Sequence, residues 1–177
     1  NMILHCMDDS CELDGTYANA RFHHNAVDGA LMSVSTQPGH GGPMYIYRNI
    51  GYHNTSEPIK THNWPAGILA YNNTYISVTG FSKMPALWQC SEFMNNIFFQ
   101  IEPWTPYGQD IGPIGSGTPT PETCVVDYNA YRKVGKTLRW FSYPDGQLGW
   151  RDAVGTTFQT PEEFVQKTGF EKHAVWA

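Results

Sequence analysis

Tyr45-Ile46-Tyr47-Arg48-Asn49-Ile50-Gly51-Tyr52 is one copy of a phrase that returns along the chain: an apolar or aromatic pair, an asparagine, and a second apolar or aromatic pair. The other copies are Arg21-Phe22-His23-His24-Asn25-Ala26-Val27, Leu69-Ala70-Tyr71-Asn72-Asn73-Thr74-Tyr75, Phe93-Met94-Asn95-Asn96-Ile97-Phe98-Phe99 and Val126-Asp127-Tyr128-Asn129-Ala130-Tyr131. The aligned asparagines, Asn25, Asn49, Asn73, Asn96 and Asn129, are separated by 24, 24, 23 and 33 residues (49−25, 73−49, 96−73, 129−96). A near-constant interval with strand-like alternation inside each unit is the mark of a solenoid, whose units bury their apolar faces only by stacking on their neighbours. The longer fourth interval holds a Pro/Gly-rich insertion at about 102–121.

Composition agrees with strands. Of 177 residues, 41% are hydrophobic and 14% aromatic, enough for a continuous core, while 17 glycines and 12 prolines suit turns better than long helices. Successive coils of a parallel β stack lie about 4.8 Å apart, so an asparagine repeated at one corner forms an amide ladder, each donating to the next. Asparagine also tolerates the left-handed backbone of a sharp corner, and this role is assigned to the ladder residues. Roughly five coils at that spacing give a rod on the order of 24 Å. The expected fold is all-β, with residues 1–133 as coils and 134–177 as a C-terminal capping segment. Within that segment Thr160 as N-cap, Pro161 at the first helical position, Glu163 completing a capping box and Gly169 as stop predict a short helix over 161–168 that covers an open solenoid end.

The Asn-anchored coils resemble the right-handed parallel β-helix superfamily, the architecture of pectate lyases and many secreted polysaccharide-active or surface proteins. The tail from Thr160-Pro161-Glu162-Glu163-Phe164 to His173-Ala174-Val175-Trp176-Ala177 is similar to the closing segment of bacterial members. The resemblance implies an extracellular, cell-surface or periplasmic setting and a polysaccharide or glycan surface as partner. The abrupt start at Asn1 and stop at Ala177 are read as those of a C-terminal piece of a larger member, and uncovered coil ends predict end-to-end self-association.

Several classes are set aside on charge and pattern. Eleven Lys+Arg against a net charge of −5, with no basic run, leave nothing to neutralise a row of phosphates, so nucleic acid is excluded. No stretch approaches the roughly 18 apolar residues of a membrane span, so no membrane insertion is expected. The four cysteines, Cys6, Cys11, Cys90 and Cys124, have neither CxxC nor zinc-ribbon spacing and are read as disulfides or buried thiols. His40 in its glycine-rich turn has no following helix and forms no nucleotide site. His23 and His24 precede a ladder asparagine, and strand alternation allows at most one to face outward.

Counting backwards from the asparagines places Glu12 beside Lys60 and Asp14 beside His62, with Ser33 and Ser35 as equivalents in the intervening coil and Trp88 or Gln89 in the next. An outward face carrying these groups would suit a polysaccharide lyase: Asp8, Asp9, Glu12 and Asp14 as oxygen ligands for Ca²⁺, Lys60 or His62 as base, and Trp88, Ser33 and Ser35 contacting sugar. The carboxylates crowd into one coil instead of facing each other across two, which disfavours a hydrolase. The stronger expectation, with carbohydrate as the partner that the resemblance implies, is a non-catalytic module that binds or presents to carbohydrate, with calcium-dependent elimination on uronate glycans as the alternative.

Overall fold

The computed structural model describes residues 1–37, 39–63, 65–78, 89–101, 123–132, 138–142 and 154–177, the backbone alone for 138–142 and 154–157. The chain is a parallel β-solenoid. Strands β1 (Met2–Leu4), β3 (Ala26–Asp28), β6 (Ile50–Asn54), β9 (Thr74–Ser77), β11 (Ile97–Gln100), β13 (Ala130–Arg132) and β16 (Val175–Trp176) form one parallel sheet in that order. A second holds β2 (Ala20–His23), β5 (Met44–Tyr47), β8 (Ile68–Tyr71), β10 (Glu92–Met94) and β12 (Val125–Asp127). A third face is shorter, β4 (Val34–Ser35) on β7 (Ile59–Lys60), extended one level by a bridge from Glu12 to Ser35. Where about five coils are expected, the five ladder asparagines enclose four complete turns, with β1 and β16 adding one rung at each end of the larger sheet.

The asparagines join the first two sheets at a two-residue corner. Nδ2 of each donates to Oδ1 of the next: Asn25 to Asn49 at 3.0 Å, Asn49 to Asn73 at 2.9 Å, Asn73 to Asn96 at 2.9 Å and Asn96 to Asn129 at 3.0 Å. Asn1 adds an unforeseen sixth member above Asn25 at 2.8 Å, although 25−1 is again 24. The left-handed residue is not the ladder asparagine. It is the residue before it: His24, Arg48, Asn72, Asn95 and Tyr128 all have φ between 53° and 60°. The ladder position therefore needs an amide, and the adjacent position needs only the strained backbone. The same corner overturns the expectation for the histidines. His24 leaves the alternation there, and both His23 and His24 are exposed.

Alternation around the corner sorts the side chains. Three residues before each asparagine, Phe22, Ile46, Ala70, Phe93 and Val126 point inward and are buried. Two residues after it, Tyr75, Phe98 and Tyr131 stack as an interior column that Trp176, paired with Tyr131, continues, with centroids 6.0, 5.5 and 4.6 Å apart. Gly51 occupies the same column, and a Cβ there would stand 2.4 Å from Ser33 Oγ and 2.9 Å from the Tyr75 ring. The absent side chain is the space that Ser33 fills.

The helix α1 (Pro161–Thr168) begins at Thr160, whose hydroxyl accepts from Glu163 N, and stops at Gly169 with φ 76°. Phe164 from α1 is fully buried, packed on Phe158 and edge-on to Trp176 with centroids 6.3 Å apart, which sets the helix against the last rung of the larger sheet. Strands β14 (Leu138–Ser142) and β15 (Val154–Phe158) form a separate antiparallel pair. Cys6, Cys11, Cys90 and Cys124 are all free thiols. Among the described residues no helix is long and apolar enough to cross a membrane.

Candidate functional site

The third face brings Glu12, Ser35 and Lys60 into one column, because Glu12 bridges Ser35 and Ser35 pairs with Lys60. The predicted equivalence of Ser33 with this column is corrected by two residues. Glu12 and Lys60 lie 13 residues before their asparagines (25−12, 73−60) and Ser35 lies 14 before Asn49, so the Gln37–Pro43 turn is longer by a single residue. The compensating residue sits after the corner, where β6 bulges between Tyr52 and Asn54 at left-handed His53.

Neither serine faces a sugar. Ser33 and Ser35 are fully buried. Ser33 Oγ points into the space beside Gly51 and pairs with the Asn54 amide at 2.9 and 3.1 Å. Ser35 Oγ donates to Asp14 Oδ1 at 2.6 Å, and Gln37 N donates to the same oxygen at 2.6 Å. Trp88 lies outside the described residues, as do Trp64, Trp104, Tyr107 and Trp150.

The two predicted basic residues are each backed by a buried carboxylate. Lys60 Nζ donates to Asp9 Oδ2 at 2.9 Å; the Asp9 side chain is 0% exposed and that of Lys60 19%. His62 Nε2 meets Glu57 Oε1 at 2.9 Å, and Ser56 Oγ donates to the other Glu57 oxygen at 2.6 Å. Glu57 is fully buried and was not singled out by its sequence, where it is only an acid before a proline. Burial opposes the Lys60 charge, but the hydrogen bond and charge of Asp9, with Asp14 and Asp8 nearby, outweigh it and hold the ammonium above its ordinary pKa. A lysine so held is a fixed cation and a poor base.

The acidic residues of the predicted calcium set do not converge. Asp9 is committed to Lys60 and Asp14 to the Ser35 coil, while Asp8 Oδ1 accepts the Asp9 N–H at 3.0 Å and Glu12 is exposed. Among the described residues no three His, Cys, Asp or Glu side chains are grouped to hold a metal. Lys60→Met is expected to cost about 2 kcal/mol, since it leaves the Asp9 carboxylate buried without its countercharge. Pairing it with Asp9→Ala should recover most of that loss, read as the urea midpoint of each variant.

A more extended surface lies on the outer face of the five-stranded sheet. Residues two before each ladder asparagine form one outward column, His23, Tyr47, Tyr71, Met94 and Asp127. Residues four before form a second, Arg21, Tyr45, Leu69, Glu92 and Val125. His23 stacks on Tyr47 with centroids 4.7 Å apart and planes 7° from parallel, and the Arg21 guanidinium lies 5.5 Å over the Tyr45 ring. The Tyr71 hydroxyl hydrogen-bonds Glu92; burial first, and then that carboxylate, push the phenol pKa well up, so it remains a donor. His23 and Tyr47 consume one ring face on each other and His23 Nδ1 meets His24 Nδ1 at 2.9 Å, while the carboxylates of the columns lie on later rungs, Glu92 on the Tyr71 hydroxyl and Asp127 on His173 at 2.8 Å. These residues stand inside the repeat itself, and strand parity counted from the asparagine was the signal that could have found them.

Compared with protein-family models, with curated proteins and with solved structures, the chain matches none.

Proposed function

We propose that this solenoid is a carbohydrate-binding module of the extracellular space or cell surface, presenting the outer face of its five-stranded sheet to a glycan. The observation that carries the reading is the pair of in-register columns running through Arg21, Tyr45, His23, Tyr47, Tyr71, Glu92 and Asp127. Phenol, imidazole, guanidinium and carboxylate edges repeat at the rung spacing of about 4.8 Å, which suits hydroxyl groups repeating along a sugar chain laid across the strands. The parallel β-solenoid form adds support through the resemblance to polysaccharide-active β-helices. Titration calorimetry against a panel of soluble plant and bacterial polysaccharides tests it. One or more should bind, and Tyr47→Ala with Tyr71→Ala should weaken that binding about tenfold or more, as for loss of central contacts. Binding to none of the panel, or equal binding by the double variant with an unchanged melting temperature, sinks the idea.

The basic pairs favour a second reading, β-elimination on a uronate glycan with altered roles. Lys60, fixed as a cation, would neutralise the uronate carboxylate, and His62, with Nε2 on Glu57, would use Nδ1 to take the adjacent proton. In this form the reaction does not depend on Ca²⁺. Unsaturated product should form on uronate polymers in the presence of EDTA and vanish in His62→Ala; activity that needs added calcium would instead restore Asp8, Asp9, Glu12 and Asp14 as a metal set.

A further inference from the structure

The seven-stranded sheet has an outer face that the glycan reading leaves unused. Positions one and three after each ladder asparagine point outward there, because position two is the interior column. In register down the sheet, position one reads Ala26, Ile50, Thr74, Ile97 and Ala130. Position three reads Asp28, Tyr52, Ile76, Phe99 and Arg132. The first column is a palindrome about Thr74. The second is one in character, with Ile76 at its centre, an aromatic ring on either side, and an acid and a base at its two ends. Ile50, Tyr52 and Ile97 keep 50%, 38% and 45% of their surface exposed, so the middle of the face is an apolar patch. Asp28 Oδ1 meets His53 Nδ1 at 2.6 Å, and a carboxylate has acceptor sites beyond that one. The Arg132 guanidinium lies 4.5 Å over the Phe99 ring, which holds it on the face.

We infer that this face pairs with the same face of a second copy of the chain, about a two-fold axis that runs along the strand direction at the Thr74–Ile76 rung. Such an axis keeps each column opposite its own image and reverses the order of the rungs. Ile50 of one copy then meets Ile97 of the other, Tyr52 meets Phe99, and Asp28 meets Arg132, each contact being made twice. Asp28 and Arg132 stand four rungs apart, roughly 19 Å, so the two ion pairs bracket the apolar patch. They also fix the register. Sliding by a rung parts both pairs, and docking without reversal sets Asp28 against Asp28 and Arg132 against Arg132. Other occupants match the face less well. Of these ten side chains only Thr74 and Tyr52 offer a hydroxyl between the charged ends, which is little for a sugar to bond, and a net charge of −5 opposes an anionic membrane. The contact is lateral and uses neither the coil ends nor the glycan face, so it stands or falls separately from the function proposed there.

Sedimentation velocity of the full chain over a range of concentrations should show a monomer–dimer equilibrium. Asp28→Arg places a second guanidinium opposite Arg132 at both symmetry-related contacts, and Arg132→Asp places a second carboxylate opposite Asp28. Each alone should weaken dimerisation about tenfold or more. Mixed together, the two variants should pair as a heterodimer, since one copy then carries two bases and the other two acids. The double variant Asp28→Arg/Arg132→Asp should dimerise as the parent chain does. Ile97→Lys, which touches neither charge, should weaken the dimer likewise, and it serves in place of a reversal that lowers the melting temperature. A monomer at every concentration, association that continues past the dimer, dimers that ignore both reversals, or well-folded single variants that fail to pair when mixed overturn the proposal.

Discussion

Asn73→Ala is expected to lower stability by about 4 kcal/mol and the melting temperature by roughly 10 °C, from loss of four hydrogen bonds in a fully buried corner. Asn73 Oδ1 accepts from both Asn49 N, at 3.0 Å, and Asn49 Nδ2, at 2.9 Å. Its Nδ2 donates to Ile46 O at 2.8 Å and to Asn96 Oδ1 at 2.9 Å. Alanine strands two donors and a carbonyl where water does not reach, and an unmet buried group costs more than its bond contributed. The neighbouring residue supplies the control. Asn72 is exposed and left-handed, so Asn72→Ala should cost only about 1 kcal/mol, the preference of alanine against that backbone. Urea denaturation of the two variants checks the contrast; equal effects would mean that the ladder is decoration on a corner held by its backbone.

The C-terminal end should weaken as pH rises, because the ladder finishes on a carboxyl group. Asn129 Nδ2 donates to Glu171 Oε1 at 2.8 Å, and the Tyr131 hydroxyl hydrogen-bonds the same oxygen. Burial drives the Glu171 pKa from 4.5 to about 7, against the hydrogen bonds from the Tyr131 hydroxyl and from the side chain and backbone of Asn129, which favour the ionised form, and with the nearby Asp127 charge adding to the rise. A folded-state pKa above the unfolded one means that the folded chain holds its proton more tightly. The associated stability is complete below about pH 4.5 and is lost as pH climbs through about 7, a difference of about 3 kcal/mol. Urea midpoints at about pH 5 and about pH 8 should therefore differ, with the lower pH the more stable. Glu171→Gln keeps an acceptor without a charge and should flatten the dependence, which separates Glu171 from the nearby Asp127–His173 pair. An unchanged slope in that variant would assign the effect elsewhere.

The ladder and the terminal helix were legible because each is written locally. An amide every 24 residues has few other uses, and Thr160, Pro161 and Gly169 mark helix ends by backbone chemistry alone. The corner was half legible. Asparagine was credited with both the amide and the left-handed turn, whereas the second duty falls on whatever precedes it, including Arg48 and Tyr128. Ser33 was misplaced because register was counted from one side of the coil, and a bulge at His53 on the other side absorbs the extra residue. The pairs Asp9–Lys60 and Glu57–His62 join residues 51 and 5 apart, and Glu171 reaches Asn129 over 42; no period announces them. Their carboxylates are buried by the stacking of coils, a property that composition and spacing do not carry.

The ladder is indifferent to the chain between its members. Asn96 and Asn129 are 33 residues apart, nine more than Asn25 and Asn49, yet both pairs hold the same 3.0 Å contact. A corner is thus fastened whatever number of residues separates it from the next, so foreign sequence spliced between Asn96 and Asn129 is expected to be carried as cargo at a fixed height in the stack. The spacing of such grafts would be set in steps of one rung, a graduated scaffold whose marks are the asparagines.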